Sequence, residues 1–470
     1  MSHESVSLRT PQLRPLAWSE RPLRELLRLS WPITVSLLSF GVMTLVDTLF
    51  VSSIGTSALA GVGLAGTATF ALYCFSFGLL RGTKVLVSQS IGAGRRGELG
   101  AHLGAGMGVA VLLGLLTAAL GHGLSSFLPL VAASPEAGRA AQSYFEIRTL
   151  GAPVVLVFVA LREYRYGEGD SRSPMIAGLV GNTANIALNW LLVIHLQLGV
   201  RGSASATLLG HSLELLVVLL AQSREGFPIR GARARHVAAL LRVGFPTGIQ
   251  FLLEMGSFAM LTAIVSSLGE TQMAAHQIAL QVIHFSFLPT VALAEAGSVL
   301  AGQAVGAGRD LLVRRVAKDA LMASSLYTGF WTLLLVFFGR GLVSIFTAEA
   351  GLAAVALSLL RVAALFQIAD GAATVARGVL RGAGDVVVPA RLGVLCAWFC
   401  TPPLAYLLGR VFGLGALGGW VGLLLEISVL AALCWHRLRG DAWLPLAAAA
   451  RRRLHADDPA ALVDAPAPAA

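Results

Sequence analysis

Long apolar runs and short polar segments alternate along most of this chain. A membrane-spanning helix needs about 20 mostly apolar residues, and twelve runs meet that requirement. Several runs are longer, which predicts tilted or kinked helices. The runs cover residues 29–54, 58–91, 99–122, 141–162, 174–196, 203–222, 238–267, 271–304, 316–339, 353–378, 387–409 and 416–436. The pattern predicts an all-α polytopic membrane protein with 12 transmembrane helices.

The polar segments divide the chain into five parts. We expect a cytoplasmic leader over residues 1–28, a first lobe over 29–222 and a cytoplasmic linker over 223–237. A second lobe then covers 238–436, and a disordered cytoplasmic tail covers 437–470. The leader has no apolar core of a cleavable signal peptide. The tail is basic and then rich in Ala, Pro and Asp, a composition typical of disorder.

The chain contains an internal repeat. A shift of 214 residues aligns Leu26–Arg95 with Leu240–Arg309 without a gap, and twenty of these 70 pairs are identical. The run Gly92–Arg95 recurs as Gly306–Arg309. Each repeat unit holds six spans, so both units insert the same way up. This predicts two six-helix lobes related by a pseudo-two-fold axis along the membrane normal, an arrangement that permits alternating access.

Composition and charge support a membrane location. Of the 470 residues, 56% are hydrophobic and only 13% are charged, whereas soluble proteins average about a quarter charged residues. The net charge of +10 does not indicate nucleic-acid binding, because the basic residues lie in short clusters between apolar runs. Most of them fall in the segments on the side of the two termini. The positive-inside rule then predicts an inner-membrane protein with both termini in the cytoplasm.

The sequence lacks the motifs of soluble chemistry. It contains no Gly-x-x-x-x-Gly-Lys-Ser/Thr phosphate loop and no paired-histidine metal motif. Its four cysteines lie within apolar runs and are interpreted as buried small hydrophobes. These features predict a transporter rather than an enzyme, and the tandem repeat argues against a receptor or scaffold.

Three acidic residues stand inside predicted spans. A carboxylate at a helix centre costs about 2.5–3.5 kcal/mol on insertion scales, so those that persist usually carry function. Asp47 lies in the first span, Glu254 in the seventh and Asp370 in the tenth. Asp47 aligns with Leu261, so the acids break the repeat that the scaffold keeps. We predict that these three residues couple transport to an ion or a proton.

Basic residues also interrupt the apolar runs. Arg81 and Glu295 occupy equivalent positions in the repeat. Residues related by a central two-fold axis can face one another, which predicts that Arg81 or Lys84 pairs with Glu295 between the lobes in one state. The alternative is that these charges are solvated at the cytoplasmic ends of their helices.

Uncharged polar residues are candidates for the substrate cavity. Asn185 and Asn189 lie one helical turn apart on one face, where their amides could bind a cation or a neighbouring helix backbone. His276, Gln277 and Gln281 fall in the eighth span. A buried histidine at that position is also consistent with simple packing.

Several of these residues together resemble the MATE (multidrug and toxic compound extrusion) family, over roughly residues 25–440. The similar elements are Ser30-Trp31-Pro32, Val46-Asp47-Thr48, Gly244-Phe245-Pro246 with Glu254, Ala274-Ala275-His276-Gln277-Ile278, Gly302-Gln303, and Leu380-Arg381-Gly382-Ala383-Gly384-Asp385. Glu254 and Asp370 match the acidic pair of its NorM-type branch, and Asn185 and Asn189 are similar to that branch too. The resemblance implies a MATE-like fold.

The resemblance also implies a function. A secondary antiporter of this family exports an amphipathic, often cationic drug or toxic metabolite in exchange for Na+ or H+, with Na+ or the proton bound at Glu254 and Asp370. No other cofactor is implied. The expected partners are a small organic substrate and the lipid bilayer, without nucleic acid, and the protein is expected to be monomeric. The alternative is a lipid-linked oligosaccharide flippase of the same wider superfamily, which often has fourteen spans and a cationic cavity.

Overall fold

A computed structural model describes residues 15–226 and 231–455 of the chain. Within these ranges all regular structure is helical. The helices are α1 Pro22–Ser52, α2 Thr56–Gly92, α3 Leu99–Ser125, α4 Leu128–Val131, α5 Pro135–Leu150, α6 Ala152–Glu168, α7 Arg172–Asn189, α8 Gly199–Glu225, α9 Ala234–Ser266, α10 Glu270–Gly306, α11 Asp310–Ser344, α12 Ala350–Gly382, α13 Val387–Leu404, α14 Ala416–Arg439 and α15 Leu444–His455. The first half of the expected leader and residues 456–470 of the expected tail lie outside the described residues.

The predicted number of spans agrees with this architecture. In the described part of the chain, eleven helices are long and apolar enough to cross a membrane, and the bent pair α5 and α6 brings the number to twelve. The two helices of that pair meet at 48° around Gly151. Pro153 has no amide hydrogen for the preceding turn, which explains why the predicted single span over 141–162 is broken there.

The repeat extends to irregular details of the backbone. The fifth span of each lobe ends in a π-helical segment, Trp190–His195 after α7 and Ala405–Val411 after α13. Gly94 and Gly308, which end the second span of each lobe, have φ of 72° and 75°. Glycine is the residue that adopts this left-handed conformation without steric cost. The sequence repeat therefore corresponds to a repeat in local geometry.

The two lobes meet where α2 and α10 cross. A Cβ atom added to Gly92 would lie 2.0 Å from the backbone oxygen of Gln303, and one added to Gly306 would lie 2.0 Å from that of Gln89. These two contacts exchange under the shift of 214 residues. Such reciprocity is the signature of a two-fold contact, so the pseudo-two-fold axis passes through this crossing.

The lobes are closed on one side of the membrane only. Residues 78–92 of α2 and 290–306 of α10 are buried almost without interruption, whereas the preceding halves of both helices are much more accessible. The buried halves lie on the side where α1 begins, which we call the terminal side. The space between the lobes is therefore a cleft that opens on the opposite side.

The glycine crossing predicts a sharp effect of one methyl group. Gly92→Ala is expected to destabilise the closed arrangement by about 1–3 kcal/mol, because the new Cβ would overlap backbone atoms that cannot rotate away. Gly97→Ala is the matched control, since nothing lies within 4 Å of a Cβ at that position. Thermal unfolding in detergent measures both variants, and equal midpoints for the two would contradict the close approach.

The chain beyond residue 437 is ordered further than expected. The prediction of a disordered tail from this point is wrong up to His455, because α14 continues to Arg439 and α15 follows. Trp443 is fully buried, and Arg451 forms an ion pair with Asp310. An apolar anchor and a charge pair thus hold α15 against the terminal side of the second lobe. At the other end, α1 begins at Pro22 rather than after residue 28, because proline fits the first turn of a helix.

Candidate functional site

A buried carboxylate lies at the centre of the first lobe. Asp47 of α1 is only 7% exposed. Its Oδ1 accepts a hydrogen bond from Asn189 Nδ2 at 2.6 Å, and its Oδ2 accepts one from Thr207 Oγ1 at 3.1 Å. Asn185 Nδ2 in turn donates to Thr207 Oγ1 at 3.4 Å. Helices α1, α7 and α8 therefore converge on one carboxylate.

Several oxygens around this carboxylate have no partner. The side-chain oxygens of Asn185, Asn189 and Ser203 are buried without a hydrogen bond, although buried polar atoms are nearly always paired. One carboxylate with neutral oxygens is the ligand type of a hard cation. In the described residues no three His, Cys, Asp or Glu side chains group together as a transition-metal site would require. The first-lobe site thus has the composition of an alkali-cation or proton site.

The second lobe holds its acids differently. Glu254 Oε1 accepts hydrogen bonds from Arg377 Nη1 at 3.0 Å and from Gln250 Nε2 at 2.9 Å. A Cβ at position 393 would lie 2.3 Å from the same oxygen, so Gly393 of α13 provides the space that the carboxylate fills. The guanidinium group of α12 therefore already occupies the negative charge of Glu254.

Asp370 does not form the predicted direct pair with Glu254. Within the described part of the chain its carboxylate has no hydrogen bond and no ion pair, and it interacts electrostatically with Arg377 at longer range. Glu426 of α14 accepts a hydrogen bond from Thr401. The second-lobe site thus contains three carboxylates around one arginine, and the pairing with Arg377 corrects the expectation of two acids facing each other.

A cluster of charges connects the lobes on the terminal side. Lys84 of α2 is fully buried, contacts Glu163 of its own lobe at 3.1 Å and pairs with Glu295 of the other lobe. Arg81 Nη1 lies 3.4 Å from Glu295 Oε1, so the structure brings both predicted basic residues to this carboxylate. Arg381 Nη1 approaches the same oxygen at 3.8 Å. These residues, with Arg162, form what we call the inter-lobe charge cluster.

Comparison with known proteins identifies the scaffold that carries these sites. The MatE family model matches residues 32–191 and 246–407, one match in each lobe. The chain belongs to the MatE family. Probable multidrug resistance protein NorM of Pseudomonas putida is 30% identical over 430 residues, which cover 87% of this chain and 92% of the relative. NorM of Deinococcus radiodurans is also 30% identical, over 85% of this chain and 91% of its own.

Solved structures of MATE transporters have the same fold. An outward-facing multidrug resistance MATE family transporter superposes with a TM-score of 0.85 at 21% identity, covering 92% of this chain and 99% of that one. A MOP superfamily transporter from Pyrococcus furiosus gives 0.83 at 21% identity with the same coverage. That protein is described as having a binding pocket of reverse polarity that suggests a different function. The predicted all-helical MATE-like fold is confirmed.

The remaining predicted cavity residues of this MatE chain separate into two groups. His276 is fully buried and its Nδ1 accepts a hydrogen bond from Trp420 Nε1 at 3.0 Å, so it packs inside the second lobe away from the cleft. Gln277 and Gln281 are exposed on α10. Asn185 and Asn189 are fully buried beside Asp47 and belong to the first-lobe site rather than to an open cavity surface.

Sequence reasoning missed the arginines and one glutamate. Arg377 and Arg381 were interpreted as cytoplasmic charges, yet both lie within α12. Glu163 was not singled out, although it contacts Lys84. A signal was available in the repeat, because Arg162 and Arg377 align at a shift of 215 residues. A recurrent arginine at the inner end of equivalent spans indicates a role inside the lobes.

The position of Arg377 predicts how the second lobe responds to cations. Arg377→Gln is expected to lower the Na+ or H+ concentration for half-maximal transport by roughly tenfold, because a charge-assisted hydrogen bond that competes with the ion is lost. Dye efflux from proteoliposomes at stepped pH and Na+ measures the shift. Arg391→Gln, an exposed arginine of α13, serves as the control. An unchanged or higher half-saturating concentration would contradict competition between Arg377 and the ion.

Proposed function

We propose that the protein exports amphipathic, often cationic drugs or toxic metabolites across the cell membrane in exchange for Na+ or H+. The observation that carries this proposal is the buried Asp47 carboxylate with its unpaired neutral oxygens, set in a two-lobe fold that is closed on one side. NorM-type relatives, which are named multidrug resistance proteins, support the substrate class. The protein then acts as a transporter and not as an enzyme.

Ion binding supplies the energy difference that alternating access needs. A ligand shifts a conformational equilibrium only as far as it binds the two states differently. A bare Asp47 carboxylate is costly in a buried site, and Na+ or a proton neutralises it. In the second lobe, Asp370 has no partner and Glu254 is held by Arg377. We infer that the two lobes bind the coupling ion with different strengths.

Orientation follows from the charges at the termini. With both termini in the cytoplasm, as the excess of basic residues on that side favours, the closed terminal side faces inward and the cleft opens outward. The Lys84–Glu295 pair then stabilises the outward-facing state. It has to break when the cytoplasmic side opens to receive a substrate.

The decisive experiment reconstitutes the purified protein in liposomes. Ethidium efflux is followed under an imposed Na+ gradient, an imposed pH gradient, or neither. The proposal predicts transport under at least one gradient and none without a gradient. Transport that is independent of both gradients, or movement of a lipid-linked sugar in place of the dye, would overturn it. The lipid-linked oligosaccharide flippase is not favoured by the relatives of this chain.

A further inference from the structure

Arg81 is an exception in a buried stretch of α2. Residues 78–92 are buried except for Arg81 and Ile91, and the Arg81 side chain is 20% exposed. It interacts electrostatically with Arg162 and Glu163 of its own lobe and with Arg377 and Glu254 of the other. Since charges of both lobes surround it, the accessible part of Arg81 faces the floor of the cleft.

The inter-lobe charge cluster has more cations than carboxylates. Arg81, Lys84, Arg162 and Arg381 face only Glu163 and Glu295. Lys84 takes the closest contacts with both carboxylates. The guanidinium group of Arg381 is more than nine-tenths buried, and among the described residues it makes no hydrogen bond. A buried charge without a hydrogen bond is costly unless something else binds it.

The geometry favours a planar oxyanion as the missing partner. Arg81 Nη1 and Arg381 Nη1 both approach Glu295 Oε1, at 3.4 and 3.8 Å, so the two groups lie close together. Guanidinium groups bind carboxylates through paired hydrogen bonds. The Phe251 ring lies 4.6 Å from the Arg81 guanidinium carbon and offers an apolar surface beside it. The cleft floor therefore combines donors for an anion with an aromatic contact.

An acid without a partner lies in the same cleft region. Asp370 interacts electrostatically with Arg377, which in turn interacts with Arg81. A positive centre of a substrate can bind Asp370 while a carboxylate of the same molecule binds the arginines. We propose that Arg81 and Arg381 form an oxyanion subsite at the cleft floor, which selects amphipathic substrates that carry a carboxylate as well as a cationic centre. This inference rests on the proposed export function and names its substrate class.

A pair of dyes that differ in one methyl group tests the subsite. Rhodamine 110 has a free carboxylate, and rhodamine 123 is its methyl ester with the same cationic ring system. Binding to the purified protein is measured by fluorescence anisotropy, without any ion gradient. Rhodamine 110 is expected to bind about tenfold more tightly, as one charge-assisted hydrogen-bonded pair accounts for. Equal or tighter binding of the ester by the wild type would overturn the proposal.

Variants assign the preference to the two arginines. Arg81→Gln and Arg381→Gln are each expected to bring the ratio of the two dissociation constants close to one, and Arg81→Lys to leave an intermediate ratio because the charge remains but the fork is lost. Arg391→Gln on α13 is expected to keep the full ratio. An unchanged ratio in both glutamine variants would also overturn the subsite.

The binding test is separable from the test of export. If neither gradient drives dye efflux but the preference for rhodamine 110 persists, the proposed function fails and the subsite stands. If efflux is gradient-driven and the two dyes bind equally, the subsite fails and the export function stands.

Discussion

Replacing Lys84 with methionine is expected to lower the free energy of unfolding by about 3–5 kcal/mol, because removing one partner of a buried ion pair leaves an uncompensated charge. Lys84 is fully buried between Glu163 and Glu295, and the substitution would leave two carboxylates in a dry interface. Since Glu295 belongs to the opposite lobe, the loss also weakens the contact that closes the terminal side. Thermal unfolding of the purified protein in detergent measures the loss of stability.

Two further variants determine whether the loss arises from charge. Adding Glu295→Gln to Lys84→Met removes one of the bare carboxylates and is expected to recover part of the stability. Arg139→Met is the surface control, because Arg139 and its partner Glu136 are mostly exposed and such pairs contribute about 0–1 kcal/mol. If the double variant were no more stable than Lys84→Met, the loss would reflect packing rather than an unpaired charge.

Asp47→Asn is expected to weaken binding of the coupling ion roughly 10- to 100-fold, since a bond to a charged group contributes about 1.5–3 kcal/mol. Gradient-driven dye efflux should fall with it. Asparagine has nearly the same shape as aspartate, so contacts with Asn189 and Thr207 can persist while the charge is lost. Efflux from proteoliposomes under each gradient, together with calorimetric titration of Na+, measures the effect.

The matched control for Asp47→Asn is Glu349→Gln, which changes an exposed carboxylate before α12 in the same way. It is expected to leave ion dependence and efflux unchanged. Efflux by Asp47→Asn with wild-type dependence on both Na+ and pH would remove this residue from the coupling mechanism. Loss of Na+ dependence with retained pH dependence would assign Na+ to the first lobe.

The fold was accessible from the sequence because its rules act locally. A span of about 20 apolar residues has few alternatives to a membrane helix, and the match of Gly92 with Gly306 revealed the duplication directly. The sequence also predicted that Arg81 or Lys84 meets Glu295, because the two-fold axis relates their positions. Boundaries were less predictable: the break at Gly151 and the ordered α15 depend on tertiary packing around Pro153 and Trp443.

The internal chemistry of the sites was harder to predict. Spacing along a helix indicates which residues share a face, as with Asn185 and Asn189, but not what lies opposite that face. The pairing of Arg377 with Glu254 joins α12 to α9 across the second lobe, and no pattern within either helix specifies it. For the same reason His276 seemed equally suited to a cavity and to the packed interior where the structure places it.

The reciprocal crossing of α2 and α10 bears on how such a chain arose. A contact made twice, from Gly92 to Gln303 and from Gly306 to Gln89, is the self-complementary contact that a symmetric dimer of six-helix chains would use. In such a dimer every substitution is made in both copies, so an acid introduced near the axis faces its own duplicate. Joining the copies in one gene releases that constraint. Asp47 could then persist opposite Leu261, and Arg81 opposite Glu295, because each half was free to change alone.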